Sequence, residues 1–241
     1  MDDALLRSVV LKRDDVADFG AYPFAIAAIR ALDELALDPH VTLFCGENGS
    51  GKSTLIEAIA VAARFNPEGG SRHMTISTRP SHSELHRHLR LVRGTRRIRN
   101  GYFLRAESFF NVATAVDENP HALRSHGGAS LHERSHGESF IALVTNRFGP
   151  NGLYILDEPE AALSLRGTLA LMRRMHDLVA EGSQFIVSTH SPVLLGYPSA
   201  KIYVLSEDGI AERRYEDTDV VTLTRSFLED RDAFLRHLFE D

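Results

Sequence analysis

Three stretches of the chain hold residue types suited to phosphate chemistry, and in each the chemistry follows from the spacing. In Gly46-Glu47-Asn48-Gly49-Ser50-Gly51-Lys52-Ser53-Thr54, a glycine followed after four residues by Gly-Lys-Ser fits the P-loop pattern. Glycines at 46, 49 and 51 permit backbone angles that other residues resist, so successive N–H groups can turn inward as a nest for phosphate oxygens. Lys52 adds a point charge for the β- and γ-phosphates, the Ser53 hydroxyl is a ligand for Mg²⁺, and a helix starting near Gly51 aims its positive end at the same anion. The second stretch is Asp157-Glu158, after the apolar run Leu153-Tyr154-Ile155-Leu156. Asp157 suits an Mg²⁺ held through water, and Glu158 suits the orientation or deprotonation of an attacking water. The third is Thr189-His190-Ser191-Pro192, after Phe185-Ile186-Val187-Ser188, where His190 can donate a hydrogen bond to a γ-phosphate and so report its presence. The plainer readings are a glycine-rich turn that binds nothing, two acids that cap the next helix, and a structural histidine. An apolar strand ending in a polar group, three times over, favours the chemical reading.

Four apolar residues without alternation read as a strand buried on both faces, and in open α/β sheets ligands bind at the carboxyl edge of such strands. Val41–Cys45, Leu153–Leu156 and Phe185–Ser188 are therefore expected as neighbouring strands. Ser53–Phe65 has helical spacing at Leu55, Ile56, Ile59, Ala60 and Ala63, and Asn66-Pro67 stops it. Ser8–Lys12 and Tyr102–Arg105 read as strands, Phe24–Leu37 as a strand, a helical turn and a strand, and Glu107–Glu118 as an amphipathic helix. Asn119–Leu131 reads as loop. Ser135-His136-Gly137-Glu138-Ser139 places small residues ahead of a helix expected over Phe140–Phe148, a second potential anion site. Further helices are expected over Ser164–Ala180 and Asp230–Phe239, and a hairpin over Lys201–Leu205 and Ile210–Tyr215. For Tyr22, packing is the plainer expectation, against stacking on an adenine.

The chain has 241 residues, a net charge of -6 and 43% hydrophobic residues, a balance that points to neither a membrane nor DNA. The single cysteine, Cys45, excludes an internal disulfide framework and reads as a small core residue, which suits a reducing cytoplasm. MDDALLRSVV does not read as a signal peptide, and no apolar run approaches a bilayer's width, so no direct membrane insertion is expected. Between Arg64 and Arg105 there are ten arginines against Glu68 and Glu84. Arg87, Arg90, Arg93, Arg96, Arg97 and Arg99 could contact nucleic-acid phosphates, or form a solvated face, or meet acids elsewhere in the chain. His82, His86 and His88 lack the partner spacing of a metal site, and no structural metal is expected there.

The order of these motifs resembles the ATP-binding cassette (ABC) ATPases: GENGSGKST as the P-loop, SHGES as a signature-like segment, LYILDEP as the Walker B strand, Pro159–Ser164 as the D-loop and STHSP as the switch-histidine segment. The resemblance implies an α/β P-loop NTPase fold of ABC type, with a mostly parallel central sheet flanked by helices, an N-terminal antiparallel β part and a small helical insert. It implies one domain over 1–241, its core lobe from 1–72 and 150–241 and its helical insert from 73–149. It implies ATP and Mg²⁺ as cofactors, Lys52, Glu158 and His190 as catalytic residues, and Ser53 and Asp157 as metal ligands. Ser135, Gly137 and Glu138 would close over the ATP held by a second copy, in a homodimer formed on ATP binding. Arg105-Ala106-Glu107-Ser108 falls where relatives carry a metal-sensing glutamine, which would make Glu107 a metal ligand. Transporter ATPases typically carry LSGGQ, and SHGES is more similar to soluble members acting in DNA repair and chromosome organisation. The expected function is an Mg²⁺-dependent ATPase whose dimerisation moves an unidentified partner protein. Two alternatives stay open: the motor subunit of a membrane transporter, and a module gated by ATP without hydrolysis.

Overall fold

Strands covered on both faces need apolar side chains above and below, and the runs before Gly46, Asp157 and Ser188 supply them. In the computed structural model, which describes residues 4–72, 83–118, 123, 130 and 135–240, these runs lie side by side. The expected loop at Asn119–Leu131 falls almost wholly outside the described residues, as do His73 and His82. One sheet is antiparallel, with β1 (Leu6–Leu11) between β2 (Glu34–Ala36) and β4 (Leu89–Arg93). The other runs β5 (Asn100–Arg105), β6 (Gly152–Asp157), β7 (Gln184–Ser188), β3 (Val41–Gly46), β8 (Lys201–Ser206) and β9 (Gly209–Arg213). All its pairings are parallel except that of β9, which returns in a hairpin from β8. The α-helices with both ends among the described residues are α1 (Ala27–Arg30), α2 (Lys52–Ala62), α3 (Phe109–Asp117), α4 (His136–Arg147), α5 (Leu165–Ala180), α6 (Pro192–Leu195), α7 (Asp219–Glu229) and α8 (Arg231–Phe239). This is the expected α/β class with a mostly parallel central sheet.

The parallel sheet divides two apolar cores. On one face Phe44, Ile155, Ile186 and Phe103 pack with Leu55, Ile56 and Ile59 of α2 and with Leu6, Val9 and Leu11 of β1. On the other, Leu43, Tyr154, Leu156, Phe185 and Val187 pack with α3, α4 and α5 through Phe109, Phe140, Leu143, Leu171 and Met175. Successive residues of one strand serve opposite cores because side chains alternate across a strand. Parallel pairing then puts the strand ends level: Arg105 faces Asp157, Asp157 faces Ser188, and Phe44 faces Ser188. One sheet edge therefore carries the ends of all four strands β5, β6, β7 and β3.

The elements differ from the sequence expectation in several places. No strand forms at Phe24; the segment is a turn leading into the short α1, whose Ala28 and Ile29 are buried. The stretch 73–149 assigned to a helical insert also supplies β4 and β5, which hydrogen-bond into the two sheets. Helix α7 had no expectation, although Val220, Val221, Leu223, Phe227 and Leu228 recur at helical spacing; of these only Val221 is buried.

Gln184 ties the sheets together. Its side chain is fully buried; Oε1 accepts from Leu6 N at 2.8 Å, while Nε2 donates to Leu6 O at 2.8 Å and to Asp38 O at 2.7 Å. Gln184→Leu leaves these backbone groups buried without partners, each costing about 1–3 kcal/mol. We expect urea unfolding to show a loss of about 3 kcal/mol or more for this variant; a loss under 1 kcal/mol would mean that the two sheets are joined by other contacts.

Candidate functional site

Strand β3 ends at Gly46 and the chain turns back before α2 begins at Lys52. Gly46 has φ 143°, and a Cβ there would stand 2.2 Å from the Leu205 carbonyl oxygen. Gly51 has φ 98°, and its Cβ would meet Ile26 at 2.8 Å. Both positions require glycine by angle and by space. Gly51 offers no side chain to cap α2, so the first N–H groups of the helix lack a side-chain acceptor and suit an anion. Lys52 is 3% exposed, and its amine donates to the Gly46 and Glu47 carbonyls, both at 2.9 Å. Burial pushes its pKa below the ordinary lysine value, while the Glu158 and Asp157 carboxylates push it up. Asn48, Gly49, Lys52, Ser53 and Thr54 border a cleft of about 250 Å³ that Glu158 also lines. Glu47 is exposed, and the Ser50 hydroxyl is buried away from the cleft. Cys45 packs in the core as expected, and burial pushes its thiol pKa up to about 11.

Of the two acids at the end of β6, Glu158 lines the same cleft and Asp157 lies behind it against Ser53. Asp157 is buried, and its Oδ1 accepts hydrogen bonds from Ser53 Oγ, at 3.2 Å, and from Ser188 Oγ. Burial raises its carboxyl pKa, opposed by the Ser188 hydrogen bond and the Arg105 charge. Ser53 and Asp157 together make a hard-oxygen donor set that fits Mg²⁺. Glu158 has φ 49°, a left-handed conformation that costs a non-glycine residue roughly 1–3 kcal/mol. Its N–H holds it there by donating to Ser188 O at 3.1 Å and Ser188 Oγ at 3.2 Å. The turn swings the Glu158 carboxylate off the strand axis to 3.2 Å from His190 Nε2.

Glu160 is a residue the motif reading passed over. Its Oε1 accepts from Thr189 Oγ1 at 2.7 Å, His190 N at 2.5 Å and Ser191 N at 3.2 Å, so the segment after Asp157 clasps the His190 loop. An acid two residues after Glu158 was visible, but its partners lie about thirty residues on and only the fold brings them together. Arg105 was likewise passed over. At the end of β5 it pairs with Glu57 of α2 and with Asp157.

Ser135, Gly137 and Glu138 lie elsewhere. Helix α4 starts at His136, ahead of the expected Phe140, because Ser135 and Glu138 form a capping box. Glu138 N donates to Ser135 Oγ at 3.4 Å, and Glu138 Oε2 accepts from Ser135 N at 3.0 Å. The Glu138 side chain is therefore engaged at the helix start, a structural role that the ligand expectation missed. These residues border a second cleft, of about 640 Å³, that runs to Ala162, Leu163 and Ser164 and shares no lining residue with the first.

Two expectations are corrected. Glu107 does not reach the Ser53–Asp157 pair: its side chain is 88% exposed and its nearest charged partner is Arg105, at 3.6 Å. Tyr22 is not a packing residue, being 69% exposed on the rim of the P-loop cleft. Within the arginine block, Arg87, Arg90, Arg93, Arg97 and Arg99 are exposed and Arg87 pairs with Glu84 at 2.9 Å, whereas Arg96 is half-buried and donates to Asn151 Oδ1 at 2.6 Å and Gly182 O at 2.9 Å.

Two family models match the chain: "AAA domain" over residues 19–100 and "AAA domain, putative AbiEii toxin, Type IV TA system" over residues 129–196. Among curated proteins, it is 29% identical over 192 residues to the arabinose import ATP-binding protein AraG 1 of Burkholderia ambifaria, covering 67% of this chain and 36% of that one. The chain thus spans little more than a third of that relative's length. It is 29% identical over 155 residues to the cytochrome c biogenesis ATP-binding export protein CcmA of Salmonella typhi, covering 61% of this chain and 75% of that one. Among solved structures, "An inward-facing conformation of a putative metal-chelate type ABC transporter" superposes with a TM-score of 0.52 at 14% identity, over 91% of this chain and 88% of that chain. That likeness is one of fold.

The Glu160 clasp predicts a local effect. In Glu160→Ala the amides of His190 and Ser191 lose their carboxylate acceptor, and their hydrogen exchange should accelerate about tenfold or more, the equivalent of about 1.4 kcal/mol. Unchanged exchange at both amides would show that the loop is held by something else.

Proposed function

We propose that the chain is an ABC-type P-loop ATPase that hydrolyses Mg-ATP at a site completed by a second copy of itself. The observation that carries this reading is the convergence of Lys52, the Ser53–Asp157 pair and the Glu158–His190 pair at one sheet edge, with the start of α4 on a separate cleft. In the reading, the loop N–H groups and Lys52 hold the β- and γ-phosphates. Mg²⁺, held by Ser53 and Asp157, would supply charge neutralisation there. Glu158 takes a proton from the attacking water, whose oxygen bonds to the γ-phosphorus as the bond to the bridging β-phosphate oxygen breaks. His190, held beside Glu158 by the Glu160 clasp, donates to the γ-phosphate.

The capping box uses the Glu138 N–H and leaves those of His136 and Gly137 as the first unfilled donors of α4. In a head-to-tail dimer these face the γ-phosphate on the P-loop of the other copy. The partner moved by this cycle is taken to be an unidentified protein and not a permease, supported by SHGES in place of the transporter signature and by Glu107 in place of the glutamine. The relatives named for arabinose import and cytochrome c biogenesis export favour a second reading, a transporter's motor subunit, and a permease that co-purifies with the chain would decide for it. Retention of Glu158 supports turnover over a non-hydrolysing module.

Glu158→Gln keeps binding but removes the base, so with Mg-ATP it should accumulate as a dimer in sedimentation. Adding Gly137→Asp, which sets a carboxylate against the γ-phosphate, should return it to monomer. A single variant that stays monomeric at micromolar concentration, or a double variant that dimerises equally well, contradicts the composite site.

A further inference from the structure

Arg105 is the last residue of β5 and lies in register with Asp157 at the end of β6. Its side chain is 15% exposed, against 11% for Glu57 and 6% for Asp157. Nη1 donates to Glu57 Oε2 at 2.7 Å, and Nε lies 3.4 Å from Asp157 Oδ2. Glu57 follows Ser53 by one helical turn on α2, so both project from one face of that helix. A single guanidinium thus joins the P-loop helix to the Walker B strand, directly behind the oxygens that Ser53 and Asp157 offer.

We propose that Arg105 is the fixed counter-ion of the metal site, bridging Glu57 and Asp157 and offsetting one of their two negative charges, and so setting how much Mg²⁺ the ATP site requires. The inference rests on reading Ser53 and Asp157 as the Mg²⁺ site. Asp157 divides its oxygens: Oδ1 receives the Ser53 and Ser188 hydroxyls, and Oδ2 faces Arg105. A positive charge on Oδ2 stabilises the two acids before nucleotide arrives and opposes a divalent cation on the other side. Taking Arg105 away leaves two largely buried carboxylates without this partner, which destabilises the protein. The same loss adds one uncompensated negative charge beside the metal ligands, which strengthens the hold on Mg²⁺. A positioning residue that acted by shape alone would produce the first effect without the second. Glu107, exposed at 3.6 Å from Nη2, lies on the solvent side of this arginine.

The test follows binding of a fluorescent ATP analogue against Mg²⁺ concentration, with melting temperature in EDTA measured in parallel. Arg105→Gln should melt lower in EDTA, and its Mg²⁺ midpoint should fall about tenfold, the order expected for one unit charge in a largely buried site. Arg105→Lys keeps the charge but cannot bridge both acids, so it should melt lower while its Mg²⁺ midpoint stays at the wild-type value. Glu57→Gln removes a negative charge and should raise the midpoint, an opposite shift that stands if Arg105→Gln fails to fold. An unchanged or raised midpoint in Arg105→Gln, a lysine variant shifted as far as the glutamine one, or a lowered midpoint in Glu57→Gln overturns the inference. Wild-type binding that ignores Mg²⁺ removes the metal-site reading itself, and the inference falls with it.

Discussion

The arrangement depends on one carboxylate. Asp157 ends β6 with almost no exposure to water, and a charge in such a place persists only if other groups compensate it. Ser53 comes from the P-loop helix, Ser188 from β7 and Arg105 from β5. Each is brought by a different element, so satisfying Asp157 fixes those elements relative to one another. The parallel register does the rest, because strand ends that are level in the sheet present their last side chains to a common space.

Around this centre the backbone is bent where the chemistry needs it. Glu158 leaves the strand direction in a left-handed conformation, which points its carboxylate toward His190 and away from the sheet. Glu160 then clasps the loop that carries His190. Glu158 and Glu160 both lie within one short turn after β6, so the residues proposed as proton acceptor and phosphate sensor share a support. The signature segment belongs to a different support, helix α4, and its cleft is distinct from that of the P-loop.

Much of this was legible in the chain because P-loop spacing and both-face apolar runs are local signals. Val41–Cys45, Leu153–Leu156 and Phe185–Ser188 announced the central strands, and Gly46 and Gly51 announced a loop only glycine can make. What stayed hidden depends on distant pairing. Arg105 read as one of ten arginines, and only the strand register distinguishes it from Arg90 or Arg93. Tyr22 read as packing because nothing local says which way a turn residue faces. Glu138 was expected at a second copy's ATP from its place in SHGES, and its capping of α4 depends on a helix start that the structure fixes.

The central claim is that the P-loop lysine and the sheet-edge acids act on one nucleotide. Phosphate release from Mg-ATP by the purified chain, compared with Lys52→Ala, tests it most directly. The account predicts Mg²⁺-dependent release by the wild type that Lys52→Ala reduces by about a hundredfold or more, the loss of a charge-assisted contact to the transferred phosphate. Equal release by both proteins, or none by the wild type, would contradict it.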